Sequence, residues 1–216
     1  MISEIQNILN AVLNTSYINL ASNNDLFEVY IFSLIIRAAE AEGAQVSFRD
    51  INGGITSTLI FRTSPGQIYS RLNSYSYALI EFSSRPALET HLGIMVAGKS
   101  GVLHEADIAV LYSDEAENCR QNHVAPRSSK IVLSVECKYY SSNLGLGLAR
   151  GYIGLVSDLS VEDPFFVTNA SSSSVEKFLA HRAKHWEKEI SPACQNDEVG
   201  RLFNVFRDVF KNYKAK

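Results

Sequence analysis

Between Leu26 and Ile36 only Glu28 and Ser33 interrupt a run of large apolar residues: Leu26, Phe27, Val29, Tyr30, Ile31, Phe32, Leu34, Ile35 and Ile36. A helix apolar around most of its circumference has to be buried against other elements. The polar stretch Ser22-Asn23-Asn24-Asp25 precedes it and Gly43 follows, a start and a stop signal that predict a helix from about 25 to 42. The rest of the chain supplies strands for this helix to pack on.

Gln45–Asp50 and Thr56–Arg62 read as strands around Asn52-Gly53-Gly54, a hairpin signal, and Tyr77–Phe82 as another. His91–Ala97 and His104–Tyr112 flank a second turn, Gly98-Lys99-Ser100-Gly101. Residues 113–129 are polar and include Pro126, which predicts a mobile loop. Lys130–Tyr140 is a strand, 145–159 a helix, Pro164–Thr168 a strand, and 175–185 a helix capped by serines. A helix at 3–13 and another at 196–213 complete the chain. The order predicts an α/β fold with a central mixed β-sheet flanked by helices. At 216 residues, with no visible repeat or linker, the chain reads as a single domain.

Charge stands on these strands where core is expected. Along 130–140, Ile131, Leu133, Val135, Cys137 and Tyr139 form one face, while Glu136 and Lys138 share the other with Ser134 and Val132. Glu105 and Asp107 likewise share a face of the preceding strand. Glu28 falls on the face of its helix that carries Ile31, Phe32, Ile35 and Ala39. A lone buried carboxylate is costly, so Glu28 needs a salt-bridge partner or an exposed place near the helix start, where the dipole favours it. Glu136 and Lys138 alone read as a structural pair. With Asp107 on a neighbouring strand and Glu28 nearby, a second reading gains weight. Two carboxylates can share a divalent cation, and an oxygen-only site left partly open describes magnesium. Such a metal polarises phosphate and helps make hydroxide from water, and a lysine beside it orients that water or neutralises growing charge.

Competing motifs fail on context. Gly93-Ile94-Met95-Val96-Ala97-Gly98-Lys99-Ser100 fits a nucleotide-binding loop letter for letter, but its middle favours extended structure and a strand follows it instead of a helix. The glycines at 145, 147, 151 and 154 miss the dinucleotide fingerprint at Arg150. His181 and His185 have zinc spacing but no third ligand nearby, so an ordinary helix surface is the expectation. No Gly-x-Ser-x-Gly elbow supports a serine hydrolase. A net charge of −3 argues against a coat-like nucleic-acid binder, though not against an enzyme with a local basic groove. Three cysteines at no ligand spacing, no secretory signal pattern at the N-terminus and no apolar run long enough for a membrane span predict a cytoplasmic protein.

Asp107, then Glu136-Cys137-Lys138 on the next strand, with Glu28 on a preceding helix, resemble the PD-(D/E)xK nucleases, the restriction-endonuclease-like superfamily. The resemblance covers roughly Asp25 to His185, in the order helix, three meandering strands, crossover helix, strand. No proline precedes Asp107, where Ala106 stands, a departure many members share. The resemblance implies Asp107, Glu136 and the backbone carbonyl of Cys137 as metal ligands. It implies Lys138 as the residue that positions the attacking water and Glu28 as the acidic residue of the first core helix. Glu105 is placed to reach a second metal, and Arg150 and Lys99 to touch substrate phosphate. The activity implied is Mg2+-dependent hydrolysis of DNA within the chain, with Mn2+ as a substitute and RNA left open. A homodimer or higher oligomer, and a partner protein of a phage-defence system, are the partners such a nuclease implies. The alternative is a module of the same fold that binds nucleic acid or protein and cuts nothing.

Overall fold

The computed structural model describes residues 1–142, 144–192 and 197–216. Ser22 caps the apolar helix, α3 (Asn23–Ala41): its hydroxyl accepts from Asp25 N at 3.2 Å and the Asp25 carboxylate accepts from Ser22 N at 2.6 Å. Gly43, at φ 89°, ends it. Nearly every residue from Phe27 to Ala39 is buried, because α3 is enclosed on both sides. The sheet lies on one side, and α1 (Ile2–Leu9) and α7 (Asp197–Ala215) lie on the other.

The sheet has seven strands in the order β2-β4-β5-β6-β7-β8-β9. They are β2 (Gln45–Asp50), β4 (Ser76–Glu81), β5 (Leu88–Ala97), β6 (Leu103–Tyr112), β7 (Ile131–Lys138), β8 (Asp163–Thr168) and β9 (His185–Glu187). Pairing is antiparallel as far as β7 and parallel from β7 to β9. The parallel β7–β8 step is made by a crossover helix, α5 (Leu146–Asp158). With α4 (Ser113–Asn122) and α6 (Ser173–Leu179), α5 covers the face of the sheet opposite α3. The fold is α/β with a mixed sheet between helices, as the sequence predicts.

Several local expectations need correction. The N-terminal helix stops at Leu9, and Val12–Leu13 instead forms a short strand, β1, parallel to β3 (Thr58–Leu59). Asn10, in a left-handed conformation at φ 46°, turns the chain there. The hairpin at Asn52–Gly54 does form, with Asp50 Oδ1 accepting from Asn52 N and Gly54 N, but β2 takes β4 as its long-range partner. The helix after β8 ends at Leu179, and His185 lies on β9, so His181 and His185 do not share a helix face.

Residues 113–122 are a helix and not a loop. Asp114 and Glu115 suit its first turn and Arg120 its last, while Ala116 and Cys119 alone supply its apolar contacts. Its sequence therefore carries little apolar period. A bulge at Val110–Leu111 shifts the β6–β7 register, so Val132 packs in the main core and Ile131 in the second cluster, the reverse of simple alternation. The start expected at Asn196 for the last helix lies outside the described residues.

Candidate active site

Two strands part where the charges meet. β6 and β7 pair from Leu111 to Ile108, and Ile108 stands opposite Val135. One residue further, the ladder gives way to a side chain: Asp107 Oδ2 accepts from Cys137 N at 2.7 Å. In an antiparallel pair a residue's N–H and C=O point to the same neighbour. The Cys137 carbonyl is thus directed toward β6 and Asp107, while the Lys138 carbonyl turns to β8 and accepts from Asn169 N. The Cys137 thiol is fully buried, and only its backbone belongs to the site.

β5 is distorted at the same level. Its register with β6 puts Gly93 across from Asp107, between the pairs Leu92–Ile108 and Ile94–Ala106. Leu92 and Ile108 pack in the core under α3, whereas Ile94 and Ala106 pack in the cluster on the other face. Two residues along a regular strand would keep the same face. Gly93, at φ 58°, takes a left-handed conformation that allows the change. Nothing in the sequence distinguishes Gly93 from a strand residue of the rejected nucleotide loop.

Lys138 Nζ lies 2.7 Å from Glu136 Oε1 and 3.4 Å from Asp107 Oδ2. The lysine and Glu136 keep 23% and 20% of their side chains exposed, while Asp107 keeps only 8%. Burial pulls the Lys138 pKa down, but Asp107 and Glu136 push it up by more, so the group is held as an ammonium. The carboxylates are crowded. Burial and then repulsion from Asp107 push the Glu136 carboxyl up to about 7. Burial raises Asp107 too, against the pull of Lys138 and the Cys137 N–H.

Glu28 is 9% exposed on the second turn of α3 and, among the described residues, forms no salt bridge. Asn24, one turn earlier, donates its amide to Glu28 Oε1 at 2.5 Å and accepts from Tyr139 N at 3.2 Å, tying α3 to the end of β7. Burial, then the charges of Asp107 and Asp25, push the Glu28 carboxyl up to about 9. The structural salt bridge that would explain Glu28 blandly is absent among the described residues. Glu105 stands one alternation from Asp107 and lines a narrow crevice with Glu136 and Tyr152; burial and Asp107 raise its pKa. The Tyr152 hydroxyl on α5 is buried beside Glu136 without a hydrogen-bond partner. Sequence reasoning assigned no role to Asn24 or Gly93. Asn24 is traceable only through its i, i+4 spacing to Glu28.

The expected phosphate contacts are not gathered here. Lys99 binds the end of α5, with Nζ 3.1 Å from Ser157 O, beside a Ser100–Asp158–His104 cluster that staples the β5–β6 turn. Arg150 is exposed on α5. His185 bonds Asp163 and stacks on Phe165, a structural role.

In kind, the donors fit magnesium: three carboxylates and a backbone carbonyl are all hard oxygen, and one ammonium faces Glu28, Glu105, Asp107 and Glu136. Among the described residues no three acidic, histidine or cysteine groups converge at ligand spacing. Asp107 and Glu136 are instead drawn onto Lys138, and Glu28 onto Asn24. Comparison of the chain with protein-family models, with curated proteins and with solved structures finds no match. No described helix is long and apolar enough to cross a membrane.

Proposed function

We propose that the protein is a metal-dependent nuclease of the PD-(D/E)xK type that hydrolyses phosphodiester bonds within DNA. One observation carries the reading: Asp107 and Glu136, from parting strands, hold Lys138 between them while Glu28 is forced in beside them. A fold gains nothing from such crowding, because removing excess buried charge is commonly neutral or stabilising. The element order α3, β5, β6, β7, α5, β8 also resembles that of the family's core.

Asp107, Glu136 and the Cys137 carbonyl would hold Mg2+ or Mn2+, with Glu28 as a further carboxylate. The chemistry the cation supplies when bound is polarisation of the phosphate and easier deprotonation of water. Lys138, as an ammonium, donates: it orients the attacking water or offsets charge growing on the phosphate oxygens. Asn24 and the Cys137 N–H keep Glu28 and Asp107 turned inward.

Purified protein incubated with supercoiled plasmid and magnesium or manganese tests this, beside chelator and Lys138→Ala controls. Nicking is expected with metal and wild-type protein only. Binding without nicking under any condition would leave a nucleic-acid-binding module. Neither binding nor nicking would leave an interaction protein. Single-stranded DNA and RNA in parallel reactions decide the substrate.

A further inference from the structure

Past Lys138 the chain leaves β7 but not its neighbour. The Lys138 carbonyl accepts from Asn169 N at 3.3 Å, and the Asn169 side chain takes the next residue along: its Oδ1 accepts from Tyr140 N at 2.7 Å and its Nδ2 donates to Tyr140 O at 2.9 Å. An amide side chain, with an acceptor oxygen and a donor nitrogen, can stand in for a peptide group. Asn169 does so, and it prolongs the β7–β8 pairing by one alternation. Lys138 and Tyr140 both turn backbone groups to the β8 side, so the chain between them is extended and their side chains share a face. Tyr139 points the other way: its ring meets Phe27 of α3 at 5.5 Å between centroids.

Tyr140 therefore follows Glu136 and Lys138 on one face. Its Cα lies about 7 Å from that of Lys138, two steps along an extended chain. It is 38% exposed, and among the described residues its ring meets no other ring. The two bonds from Asn169 fix the backbone, so the ring is presented with little freedom left to lose on binding. Apolar side chains scattered singly over a surface need no explanation, and Leu20 on α2 (Thr15–Leu20) and Val124 after α4 are of that kind. Tyr140 differs by its place, on a clamped backbone in line with the ammonium of the site.

We infer that Tyr140 is a stacking platform for the base next to the bond that is cut, and that Asn169 is the residue that positions it. A phosphate at Lys138 brings the adjoining base within reach of the ring, and an aromatic ring takes the face of any base. That face is free only where the base has left the duplex stack, so a single strand is bound in preference to duplex. The assignment to a cleaved strand rests on the nuclease reading; recognition of an unstacked base by the ring does not.

Anisotropy of a labelled single-stranded DNA decamer, and of its duplex, measured with the full chain in chelator and again in Ca2+, reads the platform as binding. Tyr140 is exposed and Asn169 half-buried, so neither substitution reaches into the core. Tyr140→Ala is expected to weaken single-strand binding about tenfold or more, the scale of one stacked base, and Tyr140→Phe, which keeps the ring, to bind as the wild type does. Asn169→Ala is expected to weaken binding severalfold in the wild type and to add nothing in the Tyr140→Ala background, because it acts through that ring. Equal losses from Asn169→Ala in the two backgrounds, or none in either, would overturn its positioning role. Binding unchanged in Tyr140→Ala, lost as far in Tyr140→Phe, equal for duplex and single strand, or absent in the wild type would overturn the platform. Plasmid nicking by a wild type whose Tyr140→Ala variant binds normally sinks only the platform; binding lost in Tyr140→Ala by a protein that never nicks sinks only the hydrolysis.

Discussion

At the scale of single residues the chain puts more negative charge into one place than it neutralises. Glu28, Glu105, Asp107 and Glu136 act on one another there, with Lys138 as the cation among them. Glu28→Gln keeps the Asn24 contact in shape and removes the cost of burying a carboxyl that burial and its neighbours push up to about 9. It is expected to raise stability in metal-free buffer by on the order of 1–2 kcal/mol, read by urea unfolding, while nicking falls. A loss of stability would mean that Glu28 has a favourable partner. Lys138→Met removes the donor, and nicking is expected to drop about a hundredfold or more. All five residues are legible in the sequence for one reason: a charge on a strand, or on the apolar face of a helix, is anomalous without any neighbour in view. Asn24 and Gly93 break no such pattern. Their roles arise from contacts between segments far apart in sequence, and periodicity carries no record of those.

Among the elements, β5 turns over at Gly93 and buries both Glu89 and His91. Gly93→Ala would place a Cβ on a left-handed residue 3.4 Å from the Arg62 side chain. It is expected to cost about 1–2 kcal/mol in stability and to reduce nicking by shifting Asp107 opposite it. Further along the strand, Glu89 is 2% exposed and takes two hydrogen bonds from Arg120 on α4, both at 2.8 Å. Arg120→Ala leaves that carboxylate buried without its guanidinium partner, held by His91 and Ser113, with an expected loss of about 3 kcal/mol in chemical denaturation. Burial raises the Glu89 pKa, but Arg120 and His91 more than offset it, down to about 2. Since the folded value lies below the unfolded one, the stabilisation is present above about pH 4.5 and lost as pH falls toward 2. His91, kept neutral by burial, adds destabilisation once the unfolded chain can protonate it, below about pH 6.5. Thermal melts across this range are expected to show Glu89→Gln with a shallower slope between pH 4.5 and 2, by about one proton. An unchanged slope would mean Glu89 is not depressed. The helix that supplies Arg120 escaped sequence reading because only Ala116 and Cys119 face the core, whereas β2, β4, β6 and β8, with longer apolar faces, are legible almost to their ends and the short β1, β3 and β9 are not.

The whole molecule is a sheet clasped between two helical layers, and α7 closes one of them. Phe206, Phe210 and Tyr213 are buried, Arg207 and Lys214 pair with Glu42 at the end of α3, and the Tyr213 hydroxyl donates to Pro86 O at 2.6 Å. The apolar stripe of α7 and the all-round apolar α3 are both plain in the sequence, and so was a mixed sheet between helices. Truncation after Pro192 uncovers α3 and is expected to abolish cooperative unfolding and expose dye-binding apolar surface. Whether the fold serves hydrolysis turns on one property of its centre: the crowded carboxylates have to accept a divalent cation. Electron paramagnetic resonance of Mn2+ titrated into the full chain measures this without substrate. Saturable binding by the wild type, lost in Asp107→Asn and in Glu136→Gln with the fold intact, is the result expected. No binding by the wild type, or equal binding by both variants, would contradict the metal site and the nuclease reading built on it.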